Sequence, residues 1–396
     1  MDTREAEWIC AAQAGQVLVD LANSTASTTT LASRLRKSFN ASQTHLLLEQ
    51  LELRQRGKRK FAASGRMFFT RVGLEQATDQ WIAAYKAKRF EGPVADLCCG
   101  IGGDLIALAT QAAASANRVT GVDQDRAMGV LAAANVAVND ASADFVAATV
   151  SPHSVTDHGA WHADPDRRST GRRTTHIDGH SPDPATLDAL HARCPHAAIK
   201  LAPAAQPPAA WCAERELNWI SRGGECRQLV VWSGRLARDA GRRVATALGT
   251  DGSAVSFSGD GGGQPPLAGE AGRYLCEPDP AVLAAGLDGD LAIEQDLQRL
   301  TAKGAYYTGS AVPASPLLSS FEILDHFPLR PAVIAAYLRQ RSIGVVEIKH
   351  RGLSLDPVRL RQQLKLRGDR SATLLATTLH SKPIVYFAQR IPFVAP

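Results

Sequence analysis

Between Val94 and Ala109 the chain reads VADLCCGIGGDLIALA, and no other stretch restricts the fold as much. An apolar strand ends at Asp96–Leu97, a turn with Gly100, Gly102 and Gly103 follows, and a helical pattern begins at about Asp104. Glycine lets a backbone turn tightly and lets a ligand approach without a Cβ in the way. The helix start offers its unpaired N–H groups to that ligand. Downstream, RVTGVDQD puts Asp123 at the end of the next apparent strand, 20 residues after Gly103. Together these features describe a Rossmann-like α/β sheet with a nucleotide site at the carboxyl ends of its strands. The bland alternative is a ligand-free α/β domain in which Asp96 and Asp123 are turn or cap residues.

The ligand follows from what the loop lacks. A dinucleotide fingerprint requires glycine or alanine at its sixth position, where this chain has Leu105. A carboxylate directly before the glycines, Asp96, also suits a pyrophosphate badly. It suits an ammonium, and S-adenosylmethionine carries one and carries no phosphate. Asp123 is placed to accept from both ribose hydroxyls, which serves either nucleotide and does not discriminate between them. The candidate cofactor-binding residues are Asp96, Leu97, Cys98, Gly100, Gly102, Asp123 and Gln124. Cys98 and Cys99 read as small apolar residues packing the loop rather than as nucleophiles.

At 396 residues the chain is long enough for two or three domains of roughly 150 residues. Residues 1–90 read as a helical N-terminal extension. Residues 91–257 alternate strands and helices and form the cofactor domain. Residues 258–320, opening with the Gly/Pro-rich SGDGGGQPPLAGEAG, read as linker and connecting segment, and residues 321–396 as a small α+β domain. In that last segment IGVVEIKH reads as a strand. A helix is expected to start at Asp356–Pro357 and end at Gly368, and ATLLATTL and KPIVYFAQRI as strands paired around HSKP. No run of about 18 apolar residues offers a membrane span. The charged start MDTREAEWIC leads into no apolar signal segment. Seven cysteines without a C-x-x-C pair fit a reducing cytoplasm and no metal site.

Charge is unevenly spread. From Arg341 to Pro396 there are ten Lys/Arg against three Asp/Glu, so the last 56 residues hold the whole positive excess of a chain whose net charge is +5. Such asymmetry is the electrostatic footprint of a nucleic-acid-facing module, with a solvated basic face as the plainer reading. Lys349, Arg351, Arg359, Lys365 and Arg367 are the candidate RNA contacts there. Arg167 and Arg168, with Arg172 and Arg173 close behind, are a second group suited to phosphate.

These motifs resemble a known family. DLCCGIGGDLIALA and GVDQD are similar to the first two motifs of class I methyltransferases. FFTRVGLEQATDQWIAAYKAKRF, HADPDRRSTGRR with IKLAP, YLCEPDPAVLAAG, VEIKHRG and LRQQLKLRGDRSATL resemble a bacterial group distantly similar to trimethylguanosine synthases, with a C-terminal THUMP-like domain. The resemblance covers roughly residues 45 to 390. It implies a seven-stranded methyltransferase sheet with a helical N-terminal extension, S-adenosylmethionine as cofactor, and an RNA substrate, since THUMP domains bind RNA. The synthases carry Pro-Pro-Trp after the fourth strand, and this chain has Asp164-Pro165-Asp166-Arg167 there. Guanine-N2 specificity does not carry over. Asp164 becomes the candidate catalytic residue, holding an acceptor amine, and Pro165 stiffens its turn. The family's acid near the adenine is replaced by Thr149 or Val150. A methyltransferase for a small molecule or protein, and an RNA-binding protein that has lost catalysis, are the competing readings.

Overall fold

The computed structural model of the chain describes residues 1–167, 176–302 and 304–393. They form two compact units, Met1–Leu217 with Gln228–Gly241, and Asn218–Arg227 with Arg242–Pro396. Among the described residues no helix is long and apolar enough to cross a membrane.

The first unit opens with helices α1 (Thr3–Cys10), α2 (Ala12–Ala22), α3 (Thr28–Leu35), α4 (Ala41–Gly57), α5 (Arg71–Gln76) and α6 (Gln80–Ala87). Their starts are written locally. Asp2 with Glu5 and Asn40 with Gln43 form capping boxes, and Asp79 accepts from the N–H groups of Trp81 and Ile82. Next come β1 (Val94–Leu97), α7 (Gly103–Ala113), β2 (Val119–Asp123), α8 (Arg126–Val138), β3 (Asp144–Ala147), β4 (Ala160–Ala163), α9 (Pro184–Arg193), β5 (Ala197–Leu201), α10 (Ala209–Glu214), β6 (Glu216–Arg222) and β7 (Glu225–Ser233).

The strand order is β3-β2-β1-β4-β5-β7, and the start of β6 is next. Strands β1 to β5 are mutually parallel and β7 runs antiparallel to β5. Every residue of β1 and β4 is buried, as a sheet covered on both faces requires. The order reverses between β1 and β4, which opens a crevice at their carboxyl ends. Buried Asn135 of α8 ties the N-terminal helices to this point. Its Nδ2 donates to the carbonyls of Phe68 (2.9 Å) and Ile101 (2.9 Å), and its Oδ1 accepts from Phe68 N–H (2.7 Å).

In the second unit the rest of β6 is followed in strand order by β8 (Arg243–Leu248) and β9 (Ala254–Gly259), an antiparallel pair. A second sheet contains β10 (Tyr274–Pro278), β11 (Gln298–Arg299), β12 (Tyr307–Gly309), β13 (Leu318–Pro328), β14 (Ile343–His350), β15 (Arg370–Leu379) and β16 (Lys382–Ile391). Helices α11 (Pro280–Ala285), α12 (Asp288–Glu294), α13 (Pro331–Gln340) and α14 (Pro357–Leu364) complete the unit. The second sheet runs β11-β12-β10-β13-β16-β15-β14, and the β14–β15 pair is parallel. Ile334 and Leu338 of α13 and Leu360 and Leu364 of α14 pack with Val346, Leu374, Val385 and Phe387 into one core.

Two expectations are corrected here. Residues 258–320 are not a linker, because β10 lies between β12 and β13 and all five of its residues are buried. The helix begun by Asp356 ends at Leu364 rather than at Gly368, because Lys365 takes the left-handed conformation, φ +47°. Arg367 therefore lies beyond the helix and shares no helical face with Arg359. Gly368 answers a different need: a Cβ there would strike the backbone of Ser342, just before β14.

Candidate cofactor and acceptor site

A cleft of about 800 Å³ opens in the first unit where β1, β2, β4 and β5 end. Asp96, Cys98, Gly100, Asp123, Gln124, Asp164, Pro165 and Arg167 all line it, so most of the residues singled out in the sequence converge. Thr149 and Val150 are on its wall as well. Leu97 and Gly102 are not. The Leu97 side chain is buried in the sheet, and its carbonyl accepts from Asp164 N–H at 3.1 Å. Gly102, at φ +89°, starts α7 close against Ala132. Arg168, with Arg172 and Arg173, lies outside the described residues.

The glycine turn has an unusual start. Cys98 stands at φ +57° in the left-handed region that normally selects glycine. Gly100, at φ +53°, has open space where a Cβ would stand. Asp123 braces the turn: its Oδ2 accepts from Gly100 N–H at 2.9 Å and its Oδ1 from Asp125 N–H at 3.0 Å. Burial raises the Asp123 carboxyl above its ordinary range, against the lowering effect of those two backbone bonds.

Beneath the turn is a polar chain that sequence reasoning missed. Asp96 is 1% exposed, and its Oδ1 lies 2.7 Å from His162 Nδ1. His162 Nε2 lies 3.0 Å from Lys86 Nζ, and Lys86 pairs with Asp104 at 2.7 Å. Thr78 Oγ1 donates to the other oxygen of Asp104 at 2.7 Å. Asp96 Oδ2 is buried and has no hydrogen-bond partner. Burial raises the Asp96 carboxyl, and the His162 hydrogen bond opposes this. Burial also acts upward on Asp104, but the charges of Lys86 and Lys200 and the Lys86 hydrogen bond outweigh it and hold that carboxyl well below the usual range. At the end of β4, Asp164 Oδ2 accepts from Lys200 Nζ at 2.6 Å, and Lys200 also donates to the Gln76 carbonyl at 3.1 Å. The only legible signals for these partners were a lysine in an apolar helix, a histidine inside AWHA and a lysine inside AAIKL.

Comparison with known proteins decides the family. Over 315 residues, 78% of its length, the chain is 32% identical to an uncharacterized S-adenosylmethionine-dependent methyltransferase of Mycobacterium tuberculosis strain H37Rv, 84% of which is covered. The chain belongs to the S-adenosylmethionine-dependent methyltransferases. The counterpart from M. tuberculosis strain CDC 1551 matches equally, at 32% identity. Residues 318–390 match the THUMP domain-like family. A candidate methyltransferase of Porphyromonas gingivalis W83, known from a crystal structure, shares the fold with a TM-score of 0.77 at 19% identity, covering 99% of this chain and 100% of that one. The enzyme is therefore a class I methyltransferase with a C-terminal THUMP-like domain, and its cofactor is S-adenosylmethionine.

The cleft fits that cofactor. A partnerless buried carboxylate oxygen on Asp96 calls for a cation, an open turn at Gly100 admits a close ligand, and Asp123 keeps a further lone pair on each oxygen.

In the second unit the candidate RNA contacts divide. Lys349 bonds Glu277 of β10 at 2.5 Å, and Arg351 pairs with the same carboxylate at 2.9 Å, so both are committed inside the unit. Arg359, Lys365 and Arg367 are exposed.

Burial raises the carboxyls of both Asp96 and Asp123, which gives a pH signature for a ligand held by them. Only ionised Asp96 attracts an ammonium. Affinity for S-adenosylhomocysteine, the demethylated cofactor, is therefore highest where Asp96 is ionised. It declines as pH falls through a range above the ordinary carboxylate value of 3.8. Calorimetric titrations from about pH 8 down to about pH 4 check this. An affinity that stays flat over that whole range contradicts it.

Proposed function

We propose that this methyltransferase modifies RNA, with Asp164 holding the acceptor amine. The observation that carries the RNA reading is the THUMP domain-like match over residues 318–390, in the segment where the positive charge of the chain is concentrated. Exposed Arg359, Lys365 and Arg367 supply backbone contacts in this reading, and Arg167 at the cleft supplies another near the chemistry.

The site residues divide the work. Asp96 takes the ammonium of the methionine moiety, Asp123 takes the ribose hydroxyls, and the turn from Cys98 to Gly100 lies along the chain between them. When bound, S-adenosylmethionine supplies a methyl carbon already activated by the positive sulfur. The protein's task is then mainly alignment, which by itself accounts for much of a rate enhancement. Asp164, at the carboxyl end of β4, would accept a hydrogen bond from the acceptor N–H, orient the nitrogen lone pair and take the proton as the N–C bond forms and the methyl–sulfur bond breaks, with the neutral thioether as leaving group. Lys200 holds Asp164 in place through its 2.6 Å ion pair. Pro165 limits the movement of the turn that carries it.

The test is transfer of labelled methyl from S-adenosylmethionine to total bacterial RNA by the purified protein. Label is expected in RNA. Asp164→Ala is expected to reduce incorporation by about 10²- to 10⁴-fold while S-adenosylhomocysteine still binds. Label confined to protein or small molecules would refute the RNA assignment and favour the alternative substrate class.

A further inference from the structure

Lys86 and His162, which stand behind Asp96, have no part in the mechanism above, yet they are among the most deeply buried polar side chains of the described residues. Lys86 and Asp96 are each 1% exposed, His162 is 1% exposed, and Asp104 is 7% exposed. A buried polar group without a partner is costly, so an arrangement this deep specifies one geometry. The nearby ion pairs close on themselves, Lys86 with Asp104 and Lys200 with Asp164. Asp96 is different. Among the described residues its one ion-pair-range partner is His162. Its second oxygen is buried at the cleft wall with no partner.

The hydrogen-bond roles follow from donors and acceptors. The Lys86 ammonium has only donors, so His162 Nε2 accepts from it. The imidazole proton is then on Nδ1, which donates to Asp96 Oδ1. A neutral ring in this tautomer fixes the carboxylate without neutralising it. We propose that His162 is a positioning residue for the amino-acid end of the cofactor: clamped between Lys86 and Asp96, it holds Asp96 so that Oδ2 presents one uncompensated negative charge to the methionine ammonium. Lys86 sets the tautomer, and Asp104, anchored by Thr78, holds Lys86. The proposal rests on Asp96 being the ammonium acceptor.

The experiment separates the two claims by pairing two ligands. S-adenosylhomocysteine carries the amino-acid end, and 5′-methylthioadenosine lacks it. In the full-length protein, Asp96→Asn is expected to weaken the first by at least about 10-fold and leave the second unchanged. If it does not, the reading of Asp96 fails. His162→Gln keeps an amide near the Nε2 position but loses the Nδ1 donor, and should reproduce the Asp96→Asn pattern. His162→Asn keeps a donor at the Nδ1 position and should retain S-adenosylhomocysteine affinity within about 3-fold. If Asp96→Asn shows the selective loss while both His162 variants bind like wild type, or lose both ligands together, the positioning role is overturned. Nitrogen NMR of the wild-type histidines reads the same point without any variant. The proposal requires His162 to be neutral with its proton on Nδ1, and an Nε2–H tautomer or a doubly protonated ring overturns it.

Discussion

Asp123→Ala is expected to weaken S-adenosylhomocysteine binding by about 10²- to 10⁴-fold and to abolish methyl transfer at ordinary cofactor concentrations. The carboxylate has two duties. Within the protein it fixes the glycine turn, accepting from Gly100 N–H at 2.9 Å and Asp125 N–H at 3.0 Å. In the proposed complex each oxygen also accepts a ribose hydroxyl. A hydrogen bond to a charged group contributes about 1.5–3 kcal/mol, so losing two on the ligand side gives about 3–6 kcal/mol. That is roughly two to four decades in Kd. Asp123→Asn keeps one acceptor oxygen and should fall between the two. Isothermal calorimetry measures the series, and a loss below about 5-fold for Asp123→Ala would remove the residue from the ribose site.

The second large effect is on stability. Lys86→Met is expected to lower the thermal midpoint by about 6–20 °C, because it strands Asp104 in the interior without its cation. Removing one partner of a buried pair costs about 3–5 kcal/mol. For a folded unit of this size each kcal/mol shifts the midpoint by about 2–4 °C. The pair is 2.7 Å apart, with the lysine side chain 2% and the carboxylate 8% exposed, so solvent does not screen it. Lys86→Met with Asp104→Leu removes both charges and should recover most of the loss, which distinguishes a stranded charge from poor packing. The pH dependence has a definite sign. The Asp104 carboxyl is depressed by Lys86 and Lys200 against the upward effect of burial. The stabilisation it contributes is present above the unfolded carboxylate pKa and is lost only as pH falls through the depressed folded value. Thermal melts should therefore show the full penalty of Lys86→Met at neutral pH and a smaller one in strong acid. A midpoint within about 2 °C of wild type at neutral pH contradicts the assignment.

Much of the cofactor side was legible because its signals are local. The glycine turn, the acids that end β1 and β2, and the strand–helix alternation from Val94 to Val138 all lie within 45 residues of chain. The paired strands β15 and β16 were equally readable, since His380 and Ser381 make the tight turn at φ +47° and +62°. Strand β10 was not legible. YLCEP reads as too short and too mixed for a core strand, and its burial comes from partners 30 to 50 residues downstream. The C-terminal basic residues were legible only in part for the same reason, since Glu277, which binds Lys349 and Arg351, is more than 70 residues upstream.

The sequence by itself determined where a backbone must turn tightly, which runs must be buried, and which ligand the turn can tolerate, because glycine, apolar periodicity and an acid beside the turn act over a few residues. Only the tertiary structure decided what each buried charge faces. Lys86, Asp104 and His162 come together from three elements, and Lys200 reaches Asp164 from a fourth. Burial makes an unpaired charge costly wherever its partner lies along the chain, so such partners are chosen by proximity in space, which spacing in sequence does not encode.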